Sequence, residues 1–293
     1  MDSEIIEEEN HSIRILLKGT DRASVNALRR TMIADTPKMA IHRIRFTQST
    51  TEEDGVIWES VGPIADEIVS HRLAMIPIPS EGAEFHLPEE CPECADLVES
   101  QRGCPTCEII YRCTVKGEPE GRAVKARDLE VLGDLKFSIP EEFQDITITK
   151  LYAGQLIDFI ARAKKGHGRD HVKWQPVAGI TFYARQHGVL NDKKAAKVLW
   201  NLGLTIKEKD FKNGRIEDIA TVDQLKKDLL HVGPSTDHGR EFADAITLED
   251  VPGEFILQYE SDGSMLPKTI FEDATAILSS RLDNISADLD IVL

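Results

Sequence analysis

No apolar run in this 293-residue chain reaches the length of a bilayer span, so no part of it is expected to cross a membrane as a helix. The acidic start MDSEIIEEEN has neither the basic flank nor the apolar centre of a signal peptide, and a cytoplasmic protein is the expectation. Basic residues are also short: 35 Lys and Arg stand against 51 Asp and Glu, a net charge of -16. That deficit opposes a general grip on nucleic acid, which needs a local excess of cations against phosphate. From Asp237 to Leu293 there are thirteen acids against three bases, so that end should face protein or solvent. Catalytic signatures are missing too. None of the nine histidines falls in an H-E-x-x-H pair, and there is no G-x-S-x-G turn. No group of aspartates is clustered to hold magnesium.

Cysteine is absent except in one window, at 91, 94, 104, 107 and 113. Cys91-Pro-Glu-Cys94 and Cys104-Pro-Thr-Cys107 are two C-x-x-C knuckles, a spacing that lets thiolates converge on one tetrahedral ion, and zinc is the expected occupant. Nine residues separate the knuckles, a short gap that Gly103 and the polar stretch Glu99 to Arg102 would let the chain close. The competing reading is an old site that no longer holds metal. Cys113 sits in the strand-like IIYRCTV and reads as a buried structural thiol.

With 41% hydrophobic residues the chain can bury two or three cores. Ile13, Ile15 and Leu17 alternate as a strand, and Thr20 or Asp21 can cap a helix that runs to the residues before Pro37. Val25, Leu28 and Met32 form one stripe of that helix, a core-facing stripe by pattern alone. Met39 to Phe46 follows as a strand. Pro63 suits a first helical position, with Ile64, Ile68 and Leu73 as one face, before Met75 to Pro79 forces an extended edge strand. Further strands are read at Glu108 to Val115, Ile146 to Leu151 and Gln155 to Ala163, with a basic loop over Lys164 to Arg169. That loop lacks the Walker-type Gly-Lys-Ser/Thr of a phosphate cradle.

Between Gln186 and Ser235, helices at Lys193 to Leu202 and Val222 to Leu230 flank short strands at Leu204 to Ile206 and Arg215 to Ile219. Gly233-Pro234-Ser235 ends this unit, whose expected core is Val198, Leu199, Trp200, Leu202, Leu225 and Leu229. Ala245 to Leu248 and Glu254 to Glu260 read as two strands around a turn at Asp250, Pro252 and Gly253. After Pro267 a last helix carries Leu278, Leu282, Ile285, Leu289 and Val292 at alternating steps of four and three, the seam of a helix made to pack on another helix.

Three strings resemble one family. PIADEIVSHRLAMIPIP resembles the HRL-x-x-IP signature of the D subunit of archaeal RNA polymerase, the relative of the bacterial alpha subunit. VNALRRTMIADTPKMAIHRIRF resembles the opening dimerisation helix and strand of that alpha and D family. Ala163, Lys165, Gly166, Gly168, His171, Lys173, Trp174, Pro176 and Val177 match its A-x-K-G-x-G-x-x-H-x-K-W-x-P-V pattern.

The resemblance implies an α+β fold in three parts. Residues 1–46 and 236–293 would form a discontinuous dimerisation domain of strands and two long helices. An inserted, mostly β domain would span 47–185 with the knuckles, and a small ferredoxin-like insert 186–235. That last insert holds iron-sulfur clusters in many relatives, but here it contains no cysteine, so no cluster is expected.

The function implied is a non-catalytic assembly subunit of a DNA-directed RNA polymerase. It would pair with subunit L, be joined by subunits N and P, dock the large catalytic subunits, and meet DNA only through the complex. The implied L-facing residues are Val25, Leu28, Arg29, Met32, Leu278, Leu282, Ile285 and Leu289. Those near a large subunit are Arg30, His71, Arg72, Lys165 and Lys173, against the plain alternative of solvated basic residues. A zinc-ribbon nucleic-acid module is the rival from another class, and the acidic balance argues against it. A thiol-disulfide enzyme built on one C-x-x-C is the other, and no thioredoxin-type strand precedes Cys91.

Overall fold

The computed structural model describes residues 1–81, 85–201, 205–231 and 244–292, which mix helices with mostly antiparallel sheets in an α+β fold. The chain opens with β1 (Asp2–Glu8), β2 (Ser12–Lys18), α1 (Arg22–Ala34), β3 (Lys38–Phe46), the hairpin β4 (Thr50–Glu53) and β5 (Val56–Glu59), and α2 (Asp66–Ala74). After the cysteine window come β6 (Glu108–Lys116), β7 (Arg122–Lys125), β8 (Glu130–Val131), β9 (Thr147–Leu151), β10 (Leu156–Gly166) and β11 (Val177–Leu190). The remainder is α3 (Lys197–Asn201), β12 (Arg215–Ile216), α4 (Ile219–His231), β13 (Ile246–Ser261) and α5 (Pro267–Val292). Among the described residues no helix is long and apolar enough to cross a membrane.

Two compact units result, one of Met1–Glu7, Arg14–Asn26 and Thr181–Gln258 and the other of Glu8–Ile13, Ala27–Ile180 and Tyr259–Leu293. A five-stranded sheet runs in the order β1-β2-β13-β11-β12. Its edge strand β1 is the acidic start, and its charges on an exposed edge deter pairing with another chain. Sequence reading missed this strand because Asp and Glu are poor strand formers. The expected pair of strands around Pro252-Gly253 is one continuous strand. Gly253 absorbs the irregularity at φ 74°, a left-handed value that glycine tolerates without strain. Asn213 and Gly214, at φ 52° and 80°, make the expected turn into β12.

The first unit's apolar core gathers Ile206, Phe211, Ile216, Val222, Leu225 and Ile246, with Trp200 and Leu229 packed against it. Aliphatic and aromatic side chains fill this region, and no thiol is among them. Leu202, Leu204 and Gly233-Pro234-Ser235 lie outside the described residues, as do the side chains of Val198 and Leu199.

In the second unit a four-stranded sheet runs β3-β10-β6-β8. Its core includes Met39, Ile41, Val69, Leu73, Ile76, Ile78, Tyr111, Cys113 and Phe159. The apolar positions of β3 change phase midway, with Met39 and Ile41 in the core and then Ile44 and Phe46 packed against it. A bulge is the cause. Arg43 faces Arg162 and Ile41 faces Ala163, so His42 is the extra residue between them.

The observed α2 corrects the sequence reading at two points. It starts at Asp66, not Pro63, with Asp66 and Glu67 in its first turn where the helix dipole favours carboxylates. Its buried face is Val69 and Leu73, while Ile68 is 48% exposed. Met75 and Ile76 turn the chain out of the helix, their amides donating back to Arg72 O and Leu73 O, and Pro77 to Pro79 joins no strand among the described residues, because two prolines remove the donors a ladder needs. Lys164 to Gly166 belong to β10, so the basic loop reduces to the turn that follows. That turn packs on the end of α1: Arg169 N donates to Ala34 O at 3.0 Å, and a Cβ on Gly168 would fall 2.0 Å from Ile33 O. Glycine is required there by the close backbone approach, and the bond satisfies a carbonyl the helix end leaves free.

Candidate functional site

The two C-x-x-C segments fold into matching turns. Cys94 N and Ala95 N both donate to Cys91 O, at 3.1 and 2.9 Å, and Cys107 N and Glu108 N both donate to Cys104 O, at 2.9 and 3.1 Å. Arg102 ties the short loop between them, donating from Nε to Leu97 O and from Nη2 to Ala95 O. Gly103 closes it at φ 139°, where a Cβ would meet the Glu108 carboxylate at 2.6 Å.

All four thiols lie within 4.8 Å of one another, with Cys91, Cys94 and Cys107 buried. The Cys91 and Cys104 sulfurs are 3.6 Å apart. Zinc–sulfur bonds of about 2.3 Å place tetrahedral sulfurs roughly 3.8 Å apart, so this separation fits an S4 site. Hydrogen bonding from the Cys107 thiol holds Cys91 down at about 6, helped by the Glu93 amide and the Thr106 hydroxyl. Burial pushes Cys107 the other way, aided by the neighbouring Cys91 and Cys104. A divalent ion at the centre of the group would favour the anionic form of all four thiols. The group can therefore hold a soft divalent metal. Cys113 lies apart from it on β6, opposite Phe159, and is 1% exposed.

The two helical stripes separate sharply. Val25, Leu28 and Met32 each have 0% exposure, so this stripe is enclosed by its own chain. A partner-facing role for these three is corrected to a core role, because a side chain without accessible area has nothing to offer a second protein. Arg29 beside them is half-buried and Arg30 exposed.

On α5 the first turns are anchored by Ile270 and Ala274, both fully buried, and Leu278 is half-buried. Beyond it every side chain from Ser279 to Leu289 is exposed, and Leu282, Ile285 and Leu289 stand 56%, 56% and 57% open. The side chain of Val292, the next seam position, lies outside the described residues. An eleven-residue stretch of helix with no buried side chain is marginal in water, so this seam asks for a cover.

Asp35 fixes where that seam begins. Its carboxylate accepts from Arg281 at 2.5 Å, one residue before Leu282, and from Arg169 at 3.1 Å in the turn after β10. The Arg281 guanidinium holds the Asp35 carboxyl below its usual range. A depressed carboxyl contributes stability that is present above the unfolded value of about 3.9 and lost as pH falls through the folded value. Asp35→Asn should therefore lower the unfolding free energy at pH 7 by about 1 kcal/mol, a figure discounted for the exposure of Arg281. Urea titration should show the gap to the parent chain closing below about pH 4.

The remaining basic candidates do not act as one group. Arg72 is spent internally, donating from Nη1 to Ile148 O at 2.7 Å, and Lys165 donates to Phe85 O at 3.2 Å. His71 is exposed on α2. Lys173 lies half-buried with its ammonium 4.3 Å from the centre of the Trp174 ring.

Comparison with known proteins adds a consistent set of matches. Residues 14–282 match the family model described as the RNA polymerase Rpb3/Rpb11 dimerisation domain. The DNA-directed RNA polymerase subunit Rpo3 of Pyrococcus horikoshii is 30% identical over 97% of this chain and 96% of its own length. That of Thermococcus kodakarensis is likewise 30% identical, over 97% and 96%. The DNA-directed RNA polymerase II subunit rpb3 of Dictyostelium discoideum is 28% identical over 98% and 94%.

Proposed function

The chain belongs to the RNA polymerase Rpb3/Rpb11 dimerisation-domain family and is an assembly subunit of a DNA-directed RNA polymerase, and we propose that it works by pairing through α5 with an L-type subunit. One observation carries this reading: Leu282, Ile285 and Leu289 lie in one exposed row on a helix whose preceding turns bury Ile270 and Ala274. Fully burying a Leu or Ile contributes about 1.5–3 kcal/mol, and roughly half of that remains to be gained at each of these positions. Three such positions are enough to anchor a helix-to-helix seam.

In this reading 1–46 with 236–293 act as the dimerisation part, 47–185 as the inserted part with a zinc ion on Cys91, Cys94, Cys104 and Cys107, and 186–235 as an insert without a cluster. The subunit contributes no catalytic group. The pair, joined by N- and P-type subunits, would present a platform on which the large catalytic subunits dock. A zinc-ribbon grip on nucleic acid fits less well, because an acidic chain repels phosphate.

Co-expression with an L-type subunit tests the proposal. The two chains should elute from size exclusion as one species with the summed mass and stay together at high salt, as an apolar seam requires. A folded, soluble, monomeric chain with no affinity for the L-type subunit would overturn it.

A further inference from the structure

Beside α2 the second unit carries a groove of about 450 Å³ whose chemistry runs against the rest of the molecule. Its floor is apolar, formed by Ile44 of β3 and Met75 at the end of α2, with Ile41 beside them buried in the core at 1% exposure. Met75 is 58% exposed, so apolar surface stands open there. The wall is basic. His71, His171 and Lys173 line the groove, and no acid does, in a protein whose net charge is -16.

A neighbouring cavity shows the contrast, since Lys164, Lys165 and Arg169 share its lining with Glu89, Glu90 and Glu99 and it is neutralised from within. His42 is committed inward, its Nδ1 hydrogen-bonded to Arg162 O at 3.0 Å, and burial drives its ring towards the neutral form at about 4. Lys173 has no such compensation. Its ammonium rests on Trp174 and makes no ion pair among the described residues, while burial and then the charge of Lys164 draw it down to about 8. A carboxylate beside it would offset both effects by favouring the charged form.

β3 is an edge strand of its sheet, and Ile41, His42 and Ile44 around its bulge all line the groove. An edge of this kind suits a segment of chain laid along it, with apolar side chains on the floor and carboxylates against the wall. We propose that this groove docks an extended acidic segment of another polymerase subunit, one carrying carboxylates beside a large apolar side chain. The proposal rests on the assembly role above. It differs from the α5 seam in surface and in chemistry, one being salt-sensitive and cationic, the other purely apolar.

The test uses the chain within purified polymerase, with Met75 replaced by the photo-crosslinking residue p-benzoylphenylalanine and the adduct mapped by mass spectrometry. The expected adduct lies in another subunit, with at least two Asp or Glu within about five residues of the attachment point. An adduct to a segment without carboxylates, an adduct to nucleic acid, or no adduct in a fully assembled complex would each overturn the proposal. Adding Lys173→Glu with His171→Glu should cut the adduct yield about tenfold, whereas Lys173→Arg should retain it. Equal yields in all three would also overturn it. Should the chain be missing from the purified polymerase, the assembly role fails with this proposal. Should it be present with a neutral adduct, only this proposal fails.

Discussion

Leu282→Asp is expected to leave the isolated chain as stable as its parent and to abolish pairing with an L-type subunit, while Leu28→Ala is expected to do its damage inside the monomer. The two leucines occupy similar positions on amphipathic helices, and their surroundings decide the outcome. Leu28 has no accessible surface, so truncating it removes packed atoms and leaves a cavity, at a cost of about 2–5 kcal/mol. Against a typical total of roughly 5–15 kcal/mol, that is a large fraction of the fold's stability. Leu282 is 56% exposed, and a polar residue at such a site changes monomer stability by no more than about 0.5 kcal/mol. In a complex the same aspartate would be a charge buried in an apolar seam, costing several kcal/mol, or a loss of affinity of about a hundredfold or more. Urea unfolding of each isolated variant, followed by calorimetric titration with the L-type subunit, separates the two. A Leu282→Asp chain that pairs as tightly as the parent would remove α5 from the interface.

The same contrast shows what was legible in the sequence. The period of α5 could be read directly, because the four-three spacing holds from Leu278 to Leu289 and Pro267 marks the start. The stripe on α1 has an equally good pattern. Amphipathicity reports that a face will be covered and does not report by what, so the resemblance assigned Val25, Leu28 and Met32 to a partner when the chain covers them itself.

Strand boundaries failed where a single residue altered the local geometry. In β13 the Pro252-Gly253 pair reads as a break, yet a positive-φ glycine lets the strand run on. In KMAIHRIRF the phase shift from Met39 and Ile41 to Ile44 and Phe46 was on view in the sequence as a two-residue gap, and it is the signature of the bulge at His42. That bulge also borders the basic groove, which no contiguous string could reveal, since the groove's residues come from β3, α2 and the turn at 171–173. The cysteine group was the most legible of all. Knuckle spacing is a local property, and the short loop between the pairs leaves few ways to arrange four sulfurs.

That group sets the last prediction, and the largest in energy. The purified chain is expected to carry one zinc per molecule, and Cys107→Ser to lose it. Structural zinc sites contribute an apparent 10–16 kcal/mol or so in small peptides, and here the ion would fix residues 85–107, which otherwise rest on the packing of Phe85 against Phe137 and on a few hydrogen bonds. Among the described residues, the cysteine cluster itself is made of Cys91, Cys94 and Cys107 with Cys104 packed against them, and no larger apolar side chain belongs to it. The core built on Met39, Phe159 and Tyr111 is a separate cluster. Chelation should therefore open 85–107 to protease while β6 and β10 stay protected, a local melting that hydrogen exchange can map. Cys113→Ser is the internal control. Its thiol sits opposite Phe159 on the sheet, so the variant should keep a full equivalent of zinc and lose only the modest stability that burying a hydroxyl costs, about 1–3 kcal/mol. If the chain purifies without stoichiometric metal and Cys107→Ser unfolds at the parent's urea midpoint, the four thiols are ordinary side chains, and the shape of 85–107 must be held by the Arg102 bonds, the paired turns and the packing of Phe85.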